Sequence, residues 1–292
     1  MNHVLAVVIP AKDESDFLPR VLAGLPSSVD HVVVVDDGSS DGTAAAATTA
    51  NVAVTVEVLH ASGQGVGAAV AQGYAHLDAF LPDDALVAVM DGDDQMDPED
   101  LLPMCTRLIE TGLDAVKGNR RASKRHRASM PWRRRMANAG MSWLTSLAAG
   151  RPVPDAQCGF VVLHRRVLAI TGSDPVWEGY GYVNHRFIRW SGHRLQVGFH
   201  PVQTRYGAER SGVRASRFFF GVGWMLVREH HRRAYRAMVR GDGGWRMPLA
   251  FVAYLAGWAA LLHPPAWPML PLGWMAAHML DRSVHAGGRA RI

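Results

Sequence analysis

The chain has only two cysteines in 292 residues, Cys105 and Cys158, in no metal-ligand spacing. They require no disulfide, which suits a reducing compartment and excludes a disulfide-framed scaffold. The chain enters its first apolar run straight after Met1-Asn2-His3. With no basic leader, long apolar stretch and cleavage site, a secretory signal is not expected. No internal repeat occurs, nor any low-complexity tract beyond the short alanine run at 44–47. Acidic residues are missing between Asp114 and Asp155, which leaves Lys117, Arg120, Arg121, Lys124, Arg125, Arg127, Arg133, Arg134 and Arg135 unopposed. A net charge of +5 and a pI near 9.5 point the same way, to an anionic substrate or surface. A nucleic-acid patch is the competing reading. No nucleic-acid motif is present and aromatic residues are not interleaved with the basic ones, so no nucleic-acid partner is expected.

What is present begins with Ala85-Leu-Val-Ala-Val-Met90, a run that reads as a buried strand, followed at once by Asp91-Gly92-Asp93-Asp94-Gln95. Packing explains such a cluster poorly. A strand end that aims Asp91 and Asp93 at one point can hold a hard divalent cation that shares phosphate oxygens, although an acidic cap on a helix starting at Asp97-Pro98 is the plainer alternative. Three more apolar runs lie upstream, at 4–9, 31–35 and 55–59. They exit into Pro10-Ala11-Lys12-Asp13-Glu14, Asp36-Asp37-Gly38-Ser39 and Gly63-Gln64-Gly65-Val66-Gly67. Helical patterns at 17–25 and 66–77 alternate with these runs, which predicts βαβ units and a mostly parallel sheet. Ligands bind such sheets outside the carboxyl ends of the strands, where these acids fall, so a nucleotide site is expected there.

In this order the motifs resemble the family-2 glycosyltransferases of the GT-A fold, and within them the branch that moves a sugar from a nucleotide to a polyprenyl or dolichyl phosphate. The resemblance continues through Lys117-Gly118-Asn119-Arg120, residues 131–138, Asp155-Ala-Gln-Cys-Gly-Phe160 and Tyr206-Gly-Ala-Glu-Arg-Ser211, and so covers about residues 4–215. It implies that Pro10, Ala11, Asp13, Glu14 and Asp37 hold the nucleotide base and ribose, with Asp36 close by. Asp91, Asp93 and Gln95 then form the metal and diphosphate triad, for Mg2+ or Mn2+. Lys117, Arg120 and Arg134 sit where this branch places basic groups near donor or acceptor phosphates. Asn138 stands where some relatives carry serine, and Val161 where many carry arginine. His185 lies in a segment that often carries an acid, as a base or as a substituted structural position. The glycine-valine-glycine turn and the 206–211 segment look more like glucose-type than mannose-type relatives.

Chemistry limits what the acceptor requires. A hydroxyl nucleophile needs a general base, which Glu178 or His185 would have to supply. A polyprenyl phosphate is already anionic and needs positioning and charge screening instead. The carboxyl-terminal third then suggests a membrane. Residues 217–227 are aromatic and apolar and lead into Arg228, Arg232, Arg233, Arg236 and Arg240, which reads as an interfacial helix or as a core helix with a basic end. From 247 to 280 no charged residue occurs, enough for one span or for a hairpin broken at Pro264-Pro265, with basic flanks at both ends.

The expected organisation is a GT-A catalytic domain at 1–215, an amphipathic interfacial helix at 216–244 and an apolar membrane-associated segment at 245–292. The expected reaction is inverting transfer from a UDP- or GDP-linked sugar to polyprenyl phosphate at the cytoplasmic face of the cell membrane. Transfer to a hydroxyl, and non-catalytic nucleotide-sugar binding, are the alternatives.

Overall fold

The computed structural model describes residues 3–50, 52, 54–123, 130–205, 215–242, 244–260 and 269–285. The valine-rich runs become strands β1 (Leu5–Ala11) and β2 (His31–Asp36), buried over nearly their whole length. Helix α1 (Leu18–Gly24) joins them, and α2 (Thr43–Thr48) leads to β3 (Val56–His60). After α3 (Val66–Asp78) comes β4 (Leu86–Val89). These four strands pair in the order β3-β2-β1-β4, all parallel, as the alternation of strand and helix patterns predicts. Continuous apolar runs rather than alternating ones follow from this burial, because helices cover both faces of a parallel sheet.

The second half departs from that pattern. Helix α4 (Leu101–Thr111), β5 (Ala115–Asn119), α5 (Trp132–Ala149) and β6 (Val161–His164) follow in order. Then come α6 (Arg166–Thr171), α7 (Tyr182–Gly192) and β7 (Val197–Pro201). Strand β6 inserts between β4 and β5 and runs antiparallel to both, completing a seven-stranded sheet in the order β3-β2-β1-β4-β6-β5-β7. One face is covered by α1 and α4 through Leu18, Leu22, Met104 and Leu108. The other is covered by α3, α5 and α7 through Val70, Tyr74, Met141, Phe187 and Trp190.

Three helices end the described chain: α8 (Ala215–Val239), α9 (Arg246–Ala259) and α10 (Met269–His285). Helix α8 is not laid free on a surface. Val222, Met225 and Leu226 join the core under α5 and α7, so the boundary at 215 divides the sequence and not the packing. Arg233 on α8 is buried, donates through Nε to the Ala148 carbonyl on α5 at 2.7 Å, and pairs with Asp281 on α10. That pair fastens the carboxyl-terminal helices to the catalytic body.

The charge-free block therefore resolves, among the described residues, into two helices of 14 and 17 residues packed on each other. At 1.5 Å per residue these are about 21 and 26 Å long, short of the roughly 30 Å hydrocarbon core. No described helix is long and apolar enough to cross a membrane, so the spanning segment expected within 245–292 is not found among the described residues. The proposed break at Pro264-Pro265 and the basic tail Arg289 and Arg291 lie outside the described residues. What α9 and α10 do present is an apolar outer surface. Leu249, Val252 and Leu255 are exposed at helical spacing on α9, with Trp245 exposed just before it, and Leu272, Met275 and Met279 on α10.

Candidate active site

The carboxyl ends of β1, β2 and β4 bring the acidic exits together. Of the residues expected at a nucleotide, Pro10 and Ala11 close β1, and the Pro10 carbonyl accepts from Gly92 N–H at 3.3 Å, tying the two exits. Asp13, in a left-handed conformation at φ 55°, accepts from Ser40 N–H at 2.7 Å, while its own N–H donates to Ser39 Oγ. Asp36 accepts from the Ser39 N–H and hydroxyl and faces His60 at 3.5 Å. Both carboxylates thus brace the loop after β2. Asp37 differs. Its Oδ2 accepts from Gly65 N–H at 2.8 Å, while its buried Oδ1 has no hydrogen-bond partner. An orphaned acceptor of this kind costs about 1–3 kcal/mol and is a natural receiver for a base N–H or ribose hydroxyl.

The glycine-rich turn before α3 serves packing. Gly65 N–H goes to Asp37, and a Cβ on Gly67 would meet the Trp177 carbonyl at 1.9 Å. The Glu178 carbonyl also accepts from Gly67 N–H at 2.6 Å. These glycines seat the 177–180 segment against the start of α3 rather than cradling a phosphate.

Beyond β4, Asp91 and Asp93 stand on the exit loop with Gln95. The Gln95 side-chain amide donates to Asp93 Oδ2 at 2.8 Å and its backbone N–H to Oδ1 at 3.1 Å. Arg205 clamps this loop, donating its N–H to the Gln95 carbonyl at 2.9 Å and its guanidinium to Asp97 at 3.1 Å. On the far side Gly159 faces Asp91, where a Cβ would come within 2.9 Å of Oδ2, so only glycine leaves that carboxylate its position. Burial, and then the Asp93 charge, pushes Asp91 up from the ordinary aspartate range, against the pull of Arg120 and Lys117. Burial together with Asp93 and Asp91 likewise raises Glu14 to about 7. Tyr180 on the facing segment is raised by burial and by the same three carboxylates.

Three acids that disfavour one another's charge fit a divalent cation. Among the described residues no three His, Cys, Asp or Glu side chains form a complete metal site. The donor set suits a hard cation bound by one or two carboxylates and completed by diphosphate oxygens and water. Asp91 and Asp93 could hold it, and Gln95 orients Asp93.

Opposite the acids lies a basic layer. Lys117, at 1% exposure on β5, donates Nζ to the Cys158 carbonyl, and burial lowers its pKa. Arg120 forms a fork on Asp155, with Nε to Oδ2 and Nη2 to Oδ1 both at 2.9 Å. Asp155 also accepts from Arg120 N–H at 3.0 Å and from Asn138 Nδ2 at 3.1 Å. Burial alone would raise Asp155; the Arg120 guanidinium outweighs it and holds the carboxyl far below the usual range. Arg134 is exposed in the first turn of α5, beside Arg133 and Arg135 and with no acid in that turn. Cations there oppose the positive end of the helix dipole, so the turn favours an incoming anion.

Asp155 and Arg205 were not read as site residues from sequence. Asp155 lies 35 positions from Arg120 with no periodic relation to it, so only its immediate Gln-Cys-Gly context could have flagged it. The predicted basic residues Lys124, Arg125 and Arg127, and the 206–211 segment, lie outside the described residues. His185 is buried between α7 and α8, 3.7 Å from Glu229, and Glu178 is exposed beside the turn before α3. Val161 is a buried residue of β6.

The polyprenol monophosphomannose synthase of Mycolicibacterium smegmatis is 30% identical over 204 residues, 68% of this chain and 74% of the relative. The UDP-N-acetylglucosamine–dolichyl-phosphate N-acetylglucosaminyltransferase of Methanococcus voltae is 24% identical over 235 residues, 75% of this chain and 92% of the relative. Among solved structures, glucosyl-3-phosphoglycerate synthase of Mycobacterium tuberculosis with UDP superposes with a TM-score of 0.60 at 21% identity, covering 78% of this chain and 80% of that one. The same enzyme has also been solved with Mn2+, UDP and glucosyl-3-phosphoglycerate, at a TM-score of 0.58, 21% identity and the same coverage of both chains. At this identity the likeness establishes the shared fold. The description of glycosyl transferase family 2 matches residues 6–170, more than half of the chain. The protein belongs to glycosyl transferase family 2.

Proposed function

We propose that the protein transfers a sugar, with inversion, from a nucleoside diphosphate sugar to a polyprenyl phosphate at a membrane surface, with Mg2+ or Mn2+ as cofactor. One observation carries the reading: mutually unfavourable carboxylates at the ends of β1 and β4 face a basic layer with no acid except Asp155, which Arg120 already neutralises. Such a site suits a metal diphosphate on one side and a second anion on the other.

In this reading Asp37 Oδ1 receives the base or ribose, with Glu14, Pro10 and Ala11 beside it. Asp91 and Asp93 hold the cation, which supplies charge neutralisation to the departing diphosphate. Gln95 fixes Asp93 in place. Arg134 and the first turn of α5 receive the acceptor phosphate, while Asp155 holds Arg120 in position to steady charge between the two anions. Lys117, held at the Cys158 carbonyl, acts by shaping the floor and by its field. The acceptor oxygen is already anionic, so no side chain has to remove a proton. The names of relatives that act on dolichyl phosphate or make polyprenol monophosphomannose support the lipid acceptor. The exposed apolar faces of α9 and α10 support membrane attachment by shallow docking.

The test mixes detergent-purified protein with Mn2+, polyprenyl phosphate and labelled UDP- and GDP-sugars, and counts label extracted into organic solvent. Transfer from one donor, lost in EDTA, is expected. Donor hydrolysis without labelled lipid would move the assignment to a hydroxyl acceptor.

A further inference from the structure

The short segment between α6 and α7 has a fixed backbone and one exposed aromatic side chain. Helix α3 begins beyond the end of β3, on the carboxyl side of the sheet, so its first turn borders the cleft that holds Asp37, Asp91 and Asp93. Two N–H groups of that turn, on Gly67 and Ala68, donate to the Glu178 carbonyl at 2.6 and 3.2 Å. A carbonyl placed there answers the unpaired N–H groups that a helix start presents. Gly65 ties the segment to the cleft itself. Its N–H is held by Asp37 Oδ2 at 2.8 Å, and a Cβ on it would come within 3.2 Å of the Gly179 Cα.

The other side of the turn is held as well. Gly181 sits at φ 101°, and a Cβ on it would lie 2.7 Å from the Val222 side chain of α8. Trp177 Nε1 donates to the Tyr180 carbonyl at 3.1 Å. Trp177 packs against the core and Tyr182 belongs to it, while Tyr180 between them stays 57% exposed. A lone exposed aromatic on an ordinary surface needs no explanation. Here its position matters. Apart from burial, what acts on its hydroxyl is the charge of Asp91, Glu14 and Asp93, so the ring stands at the mouth of the acidic cleft.

A diphosphate held at Asp91 and Asp93 carries its sugar directly bonded to it, so the sugar lies beside the same acids. Carboxylates can bond the hydroxyls of a sugar but offer nothing to the apolar C–H face of its ring. An aromatic ring does, and tyrosine gives that area with few rotors to freeze.

We infer that Tyr180 is a specificity residue for the donor: its ring packs on the face of the transferred sugar, and the nucleotide is bound without it. The inference rests on the transferase reading and adds the surface that tells a nucleoside diphosphate sugar from the nucleoside diphosphate alone. Because the turn is fixed on both sides, the platform is preformed and little ordering is lost when the sugar arrives.

Titration calorimetry on the detergent-purified full-length protein, with Mn2+ and no acceptor, compares UDP, UDP-glucose, GDP and GDP-mannose. Tyr180→Ala should weaken the better-bound sugar nucleotide about tenfold and leave its parent nucleotide within about twofold of wild type. Tyr180→Phe keeps the ring and should bind both as wild type does. Both variants should melt within about a degree of wild type, since the side chain is more than half exposed. Equal weakening of nucleotide and sugar nucleotide by Tyr180→Ala, no weakening of either, or the same loss in Tyr180→Phe overturns the inference and leaves the transferase reading standing. Failure of the wild type to bind any of the four compounds removes the transferase reading, and the inference with it.

Discussion

Replacing Asp155 by Asn tests whether the basic layer is organised as described. The carboxylate is 0% exposed and its partner Arg120 16%, so the fork between them is screened little by solvent. Asn keeps the shape but removes the charge. It leaves the Arg120 guanidinium without its directly paired counter-charge in a buried layer, and Lys117 with only the more distant Asp91. Breaking one side of such a buried pair costs about 3–5 kcal/mol. For a chain of this size that corresponds to a fall in Tm of about 6–20 °C. The pH dependence gives an independent check. The folded carboxyl lies below its ordinary 3.8, so its contribution is present above that value and is lost as pH falls through the lower folded value. Wild type and Asp155→Asn should therefore differ by a constant amount from about pH 5 to 8, and the gap should begin to shrink only below about pH 4, closing as pH falls through the lower folded value. Thermal denaturation by circular dichroism across pH reads both effects. A variant within about 1 kcal/mol of wild type, or a gap that does not shrink below about pH 4, would refute the ion-pair account.

Other expectations follow from the same geometry. Asp91→Asn should lower transfer by at least about 100-fold. It should also leave the metal-free Tm unchanged or higher, because it relieves repulsion with Asp93; a clear fall in Tm would show that Asp91 is structural. Gly67→Ala places a Cβ 1.9 Å from the Trp177 carbonyl and should cost about 1–3 kcal/mol in urea unfolding; an unchanged midpoint would sink the packing role of the turn. Glu229→Gln removes a buried carboxylate whose pKa is lowered to about 2, burial being outweighed by His185 and Arg189. Its stabilisation is present above about 4.5 and is lost as pH falls through about 2, so the variant should lose stability at pH 7, and the difference should shrink steadily below about 4.5. Leu249→Glu with Val252→Glu, both exposed on α9, should leave Tm within a degree or so and abolish co-sedimentation with anionic vesicles. Retained sedimentation would remove α9 from the membrane contact.

Much of the amino-terminal half is local, and so was legible before any coordinates. Apolar runs at 4–9, 31–35 and 85–90 became β1, β2 and β4 because a parallel strand covered on both faces has to be apolar throughout, while the run at 55–59 became the edge strand β3, where exposed Glu57 alternates with partly buried Val56 and Val58. The acids that follow them fall at the carboxyl ends of those strands by chain order alone, and family membership came from the same motifs. Their division of labour needed the fold. Asp36 and Asp13 turn to neighbouring serines while Asp37 keeps an orphaned oxygen, a difference in side-chain direction that residue type does not encode. Strand β6 enters antiparallel between β4 and β5, and that insertion carries Gly159 to Asp91. The chain leading into β6 carries Asp155, which meets Arg120 from the end of β5. The carboxyl-terminal third shows the limit most plainly. Hydropathy reports that α8, α9 and α10 have apolar surface to cover, but not what covers it. Only tertiary packing directs Val222, Met225 and Leu226 into the catalytic core, buries the Arg233–Asp281 pair and leaves Leu249 and Met275 facing outward. Burial is a property of neighbours brought together over long sequence separations, and those neighbours are set by the fold and not by the segment itself.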